Sequence, residues 1–125
     1  GVATASPSLV NQLSNAVAHC RIMEYQGALD RDNARLAARN AGDTSVPDTS
    51  AQVLACYADG RERGKTAYLA YRAQLKTDML RADASAVYAA WIATLGEPQA
   101  LNGASTPQDL VLEQAAATLE ADSTE

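Results

Sequence analysis

The sequence predicts an all-α protein, an up-and-down bundle of four to five helices. Composition is the first reason: 27 alanines and 13 leucines stand against seven glycines and no phenylalanine, which favours helix and leaves few aromatic side chains for strands. Helical spacing of apolar residues is the second, as in Leu9, Leu13, Val17 and Cys20. The third is punctuation: 42–50, GDTSVPDTS, and 96–106, GEPQALNGAST, are rich in turn formers and separate the periodic segments. A chain of 125 residues fits one domain over 1–125, with 1–6 and 121–125 expected to fray.

Ser6 and Pro7 suit an N-cap and a first helical position, so the first helix is expected over about 7–26. Gly27 either ends or loosens it. Beyond that, 28–42 continues as helix, with Leu29, Leu36 and Ala37 inward and a stop at Asn40 to Gly42. Thr49 with Gln52 reads as a capping box for a helix carrying Val53, Leu54, Cys56 and Tyr57. That helix meets DGRERG, 59–64. Gly60 and Gly64 each cost roughly 1 kcal/mol relative to alanine inside a helix, so a kink, a turn or a close helix contact is expected there.

Thr66 then restarts a helix with Tyr68, Tyr71, Leu75 and Met79 along one face. Asp83 caps a short apolar helix through Val87, Tyr88, Trp91, Ile92 and Leu95, which Gly96 closes. Ser105 or Thr106 before Pro107 opens a last helix through Val111, Ala115 and Leu119. Alanine offers few large contacts, so the five tyrosines and Trp91 are expected to carry much of the packing.

The net charge is −5, with 47% of residues apolar and 20% charged, which is too apolar for a disordered chain. Residues 61–81 hold six basic and two acidic residues, whereas 109–125 hold five acidic and none basic, and the two segments are expected to attract each other. An acidic chain does not suit nucleic acid or an anionic membrane as its main partner. The apolar run 84–96 falls short of the roughly 20 residues that cross a bilayer, so no membrane insertion is expected.

Cys20 and Cys56 form no CxxC or CxxCH pattern. A pair of cysteines suits a disulfide across the first helical hairpin, worth about 3–4 kcal/mol. Disulfides persist in oxidising compartments, so a periplasmic or secreted protein is expected. The start GVATASPSLV lacks a basic region followed by an apolar run, and its small residues are those found after a signal-peptidase cut, so a signal peptide is presumed removed.

His19 is the only histidine, which is too few for a multi-histidine zinc site. Met23, four residues on, and Met79 would be needed for a soft copper site, and filling gaps in the core accounts for both methionines as well. No GxGxxG, P-loop, nucleophile elbow or HExxH is present, and no catalytic residue, metal or cofactor is expected.

A helical bundle can still rearrange an anionic substrate by holding its carboxylates with Arg and Lys, as secreted chorismate mutases do. Arg21, Arg35, Arg61, Arg63 and Lys65, with Glu24 or Glu62, supply those residue types, although the ordered motif of that family does not map onto this chain. The stronger expectation is protein binding. Tyrosine and arginine are enriched at interface hot spots, and a DGRERG segment that leaves the helical path would expose its cations between flanking tyrosines. Tyr57, Arg61, Arg63, Lys65, Tyr68, Tyr71 and Arg72 are the candidate binding residues. The function so read is a small exported helical protein that binds another protein, such as a periplasmic inhibitor or immunity-type protein; a homodimer is compatible with the same features.

Overall fold

Ser8 opens the first helix: its Oγ accepts a hydrogen bond from the Asn11 backbone N–H at 3.2 Å. The expected cap, Ser6, and Pro7 lie outside the residues that the computed structural model describes, which are 8–41, 49–96 and 106–124. Four α-helices form, α1 over Leu9–Ala41, α2 over Ser50–Ala73, α3 over Asp78–Leu95 and α4 over Pro107–Ser123, with no strand among the described residues. The first linker, 42–48, and most of the second, 97–105, also lie outside them.

At Gly27 the helix does not end, and of the kink, turn or close helix contact expected at Gly60 and Gly64 it is the close contact that forms, without a break or a restart at Thr66. α1 runs straight through Gly27, and α2 runs through Gly60 and Gly64 with Thr66 in mid-helix. Each glycine serves instead where another group comes too near for a side chain. A β-carbon on Gly27 would meet Thr49 Oγ1 at 2.5 Å; one on Gly60 would meet Val17 Cγ1 at 2.6 Å and the Ala16 carbonyl oxygen at 2.9 Å. On Gly64 it would run into the Trp91 ring. Close packing against α1 and α3 offsets the glycine cost in α2, because the interior gains contacts along the whole approach.

The real break falls at residues 74–77, where Thr77 Oγ1 accepts from the Leu80 N–H at 3.1 Å and so caps α3. Asp83 is therefore not a cap but lies inside α3. Thr49 sits at the start of α2 without a capping hydrogen bond from its side chain, contrary to the expected capping box. The box appears at α4: Thr106 Oγ1 accepts from the Asp109 N–H at 3.2 Å, while Asp109 Oδ2 accepts from the Thr106 N–H at 3.0 Å, with Pro107 in the first turn. α4 stays helical to Ser123, beyond the point where fraying is expected.

The pairs in contact set the helix directions. Gly27 meets Thr49 while Gly60 meets Val17, so α1 and α2 are antiparallel. Tyr68 meets Ser85 while Gly64 meets Trp91, so α2 and α3 are antiparallel too. α1 pairs closely with α2, and α3 with α4; α1 also touches α3 directly, which leaves α2 and α4 on opposite sides of the α1–α3 pair.

The core draws Leu9, Leu13, Val17 and Cys20 from α1, Tyr57 and Tyr68 from α2, Ala84, Val87 and Trp91 from α3, and Leu119 from α4. Trp91 is 1% exposed; burying an aromatic side chain removes 150–250 Å² from water, roughly 4–6 kcal/mol at about 25 cal/mol per Å². Tyr68 stacks on Tyr88 with ring centroids 4.4 Å apart, and its hydroxyl hydrogen-bonds Ser85 at 2.6 Å.

Leu29, Leu36 and Ala37, expected inward, are exposed, as are Leu54 and Val111. α1 spans 33 residues against 18 for α3 and 17 for α4. At 1.5 Å per residue that is about 50 Å against about 26 Å, so α3 and α4 cannot cover both halves of α1.

Candidate protein-binding face

Cys20 and Cys56 are joined in a disulfide, S–S 2.03 Å, that ties α1 to α2 across a sequence separation of 36. Next to it, Tyr57 is buried, and burial together with Glu24 pushes its hydroxyl above the usual tyrosine range against the opposing effect of Arg21. Arg21 crosses to α3, where its Nη2 donates to Thr94 Oγ1 at 3.4 Å. The Thr94 hydroxyl donates in turn to the Trp91 carbonyl at 2.6 Å.

The candidate binding residues divide by direction. Tyr57 and Tyr68 are core residues and Tyr71 is half-buried, so the tyrosines hold α2 in place and do not rim a surface. Arg63 is exposed but held on the α1 side, its Nε on Asp59 at 2.9 Å and its Nη2 donating to the Ala16 carbonyl at 3.2 Å. Arg61, Lys65 and Arg72 remain. All three are exposed, and none has a side-chain partner among the described residues.

Leu54, 71% exposed, and Leu69, 49% exposed, join them. The spacing 54, 61, 65, 69, 72 returns to the same side of a helix about every second or first turn, so the five form one row along α2. At its lower end, Leu69, Arg72 and Ala73 meet Arg81 of α3 around a shallow hollow of about 290 Å³. Arg81 is anchored there by Asp78 at 2.7 Å. The signal that the tyrosines point inward was present in the sequence, since 57, 60, 64 and 68 share helical spacing with the glycines.

The cations of the clamp reading do not converge. Arg35 is exposed on the distal half of α1 beside Asp32 at 3.7 Å, Arg61 and Lys65 lie in the α2 row, and Arg63 leans on α1. Arg21 alone lines the open groove of about 460 Å³ between α1, α3 and α4, together with Asp109 and Trp91. The Trp91 Nε1 is buried without a hydrogen-bond partner among the described residues.

No family model, curated protein or solved structure matches this chain. Among the described residues no group of three or more His, Cys, Asp and Glu side chains is placed to hold a metal ion, and no helix is long and apolar enough to cross a membrane.

The expected attraction between the basic and acidic segments does not take the form of an α2–α4 contact. Arg63 and Arg81 pair within their own helices, and α2 and α4 approach each other only where Tyr71 and Leu119 line one hollow, not along their charged segments. On α4, Asp109 is used in the capping box and Asp122 meets Asp83 of α3. Asp83 Oδ2 is shielded from solvent and meets no donor. The side-chain contact with the Asp122 carboxyl, then desolvation and the Asp122 charge, raise the Asp83 carboxyl above the usual aspartate range.

Proposed function

We propose that this chain is a small exported protein that acts by binding another protein, in the manner of a periplasmic inhibitor or immunity-type protein, through the α2 row of Leu54, Arg61, Lys65, Leu69 and Arg72. The observation that carries the proposal is the row itself: three exposed cations without partners among the described residues, interleaved with two exposed leucines, on a helix whose other sides are held by the disulfide and by glycine contacts. A rigid helix loses little freedom on binding, which lowers the cost of association. Row charges of one sign fit an acidic surface, and the leucines fit apolar residues set between its carboxylates. Support for export comes from the disulfide, since thiols in a reducing cytosol stay unpaired.

The test compares wild-type protein with the triple variant Arg61→Glu, Lys65→Glu, Arg72→Glu as baits in a periplasmic extract of the native host, followed by mass spectrometry. An acidic protein retained by the wild type and lost by the variant supports the proposal. Identical retention by both baits, or no retained protein, contradicts it.

A further inference from the structure

Among the described residues the α2 row has no acidic mate within its own molecule, yet the chain carries an acidic face on α4. Glu113 and Glu120 are exposed and have no partner among the described residues, and Leu110 beside them is 51% exposed. Between residues 107 and 123 there are four acidic residues and no basic one. With Asp109 and Asp122 already engaged, the two glutamates and Leu110 make the free face of α4.

We infer that the α2 row of one copy docks on the Leu110–Glu113–Glu120 face of α4 of a second copy, so that the protein self-associates head to tail. Resting on the α2 row as the binding face, this names a partner for it. Complementarity holds in kind and in spacing. Laid antiparallel, Leu69 meets Leu110, Lys65 comes opposite Glu113, and Arg61 lies within one helical turn of Glu120. The row from Arg61 to Leu69 and the face from Leu110 to Glu120 are both about 12–15 Å long at 1.5 Å per residue.

The arrangement of the helices fixes the kind of assembly. α2 and α4 sit on opposite sides of the α1–α3 pair. A two-fold dimer would need both faces on one side of the molecule, so the contact is heterologous and each added copy leaves a free row at one end and a free acidic face at the other. A copy held in this way has its row covered. Self-association then competes with any foreign acidic partner and releases the row as the protein is diluted.

Sedimentation equilibrium at about 10 mM salt, where charges act over about 30 Å, and at about 1 M, where they act over about 3 Å, reads the contact directly. The expected result is a weight-average mass that climbs past two copies with concentration at low salt and returns to 13.1 kDa at high salt. Lys65→Glu alone and Glu113→Lys alone each weaken association about tenfold or more, because like charges then face each other. Combining the two reversals in one chain restores it. A protein that stays at 13.1 kDa in low salt, a mass that stops at two copies, or a double reversal no better than the singles overturns the inference. Glu113→Lys leaves the α2 row intact, so if it abolishes self-association while an acidic protein is still captured, the row keeps its role as a binding face; capture lost by the row variant alone isolates a failure of self-docking from a failure of the row.

Discussion

Gly64 of α2 touches the six-membered ring of Trp91 of α3 so closely that no β-carbon fits between them. That contact, with Gly60 against Ala16 and Val17, decides how near α2 lies to the rest of the bundle and therefore which of its residues stay outside.

Three alanine substitutions separate the glycines. Gly64→Ala and Gly60→Ala gain about 1 kcal/mol of helix propensity but overpack, and the Ala16 carbonyl that faces Gly60 is backbone that cannot rotate away. Each is expected to cost a net 1–3 kcal/mol, roughly the penalty of an overfilled core. Gly27→Ala meets only the Thr49 hydroxyl, which can turn, so its effect stays within about 1 kcal/mol of zero. Urea unfolding followed by the emission of Trp91, the chain's one tryptophan, checks all three; equal costs would contradict the assignment.

Removing the disulfide tests the first hairpin. With a sequence separation of 36 between Cys20 and Cys56, Cys56→Ser with Cys20→Ser is expected to lower unfolding stability by about 3–4 kcal/mol. Reductant should lower the urea midpoint of the wild type toward that of the variant. No change on reduction would mean the bridge contributes nothing.

Asp83 and Asp122 make stability depend on acidity. The folded Asp83 carboxyl binds its proton above the unfolded value, so this contribution is complete below the unfolded range near about pH 4 and is lost as pH rises through the raised folded value. Asp122→Asn supplies a donor and removes a charge. It should raise the thermal midpoint at pH 7 and flatten its dependence on pH between about 4 and 7; a midpoint lowered equally at both ends of that range would contradict the pairing.

Tyr57 acts at the alkaline end. Its folded pKa is raised by burial and Glu24, so the stability it adds is present below the unfolded tyrosine value near about 10 and is lost above it. Tyr57→Phe should reduce the part of the alkaline titration, read by absorbance at the phenolate band, that appears only when the protein unfolds.

The fold class was legible in alanine and leucine content, and so was the start of α4 at Thr106 and Pro107. The internal breaks could not. At Gly60 and Gly64 the sequence left a kink, a turn and a close contact open, because propensity is a local cost, whereas the packing on Val17 and Trp91 that decides for the contact comes from residues 43 and 27 positions away in the chain. The true break at 74–77 contains no glycine or proline, and only the Thr77 cap marks it. The site was half legible: Arg61, Lys65 and Arg72 are on the surface, but a straight α2 turns Tyr57 and Tyr68 inward, and Leu54 and Leu69 take the apolar places in the row.

The α2 row as a binding face is tested most directly by amide chemical shifts of isotope-labelled protein titrated with a soluble acidic peptide of alternating Glu and Leu at low salt. Shifts confined to the backbone around Arg61, Lys65, Leu69 and Arg72, abolished in the triple charge-reversal variant and by high salt, are the predicted result. Shifts centred on the α1–α3–α4 groove around Arg21 and Asp109, or none at all, would contradict it.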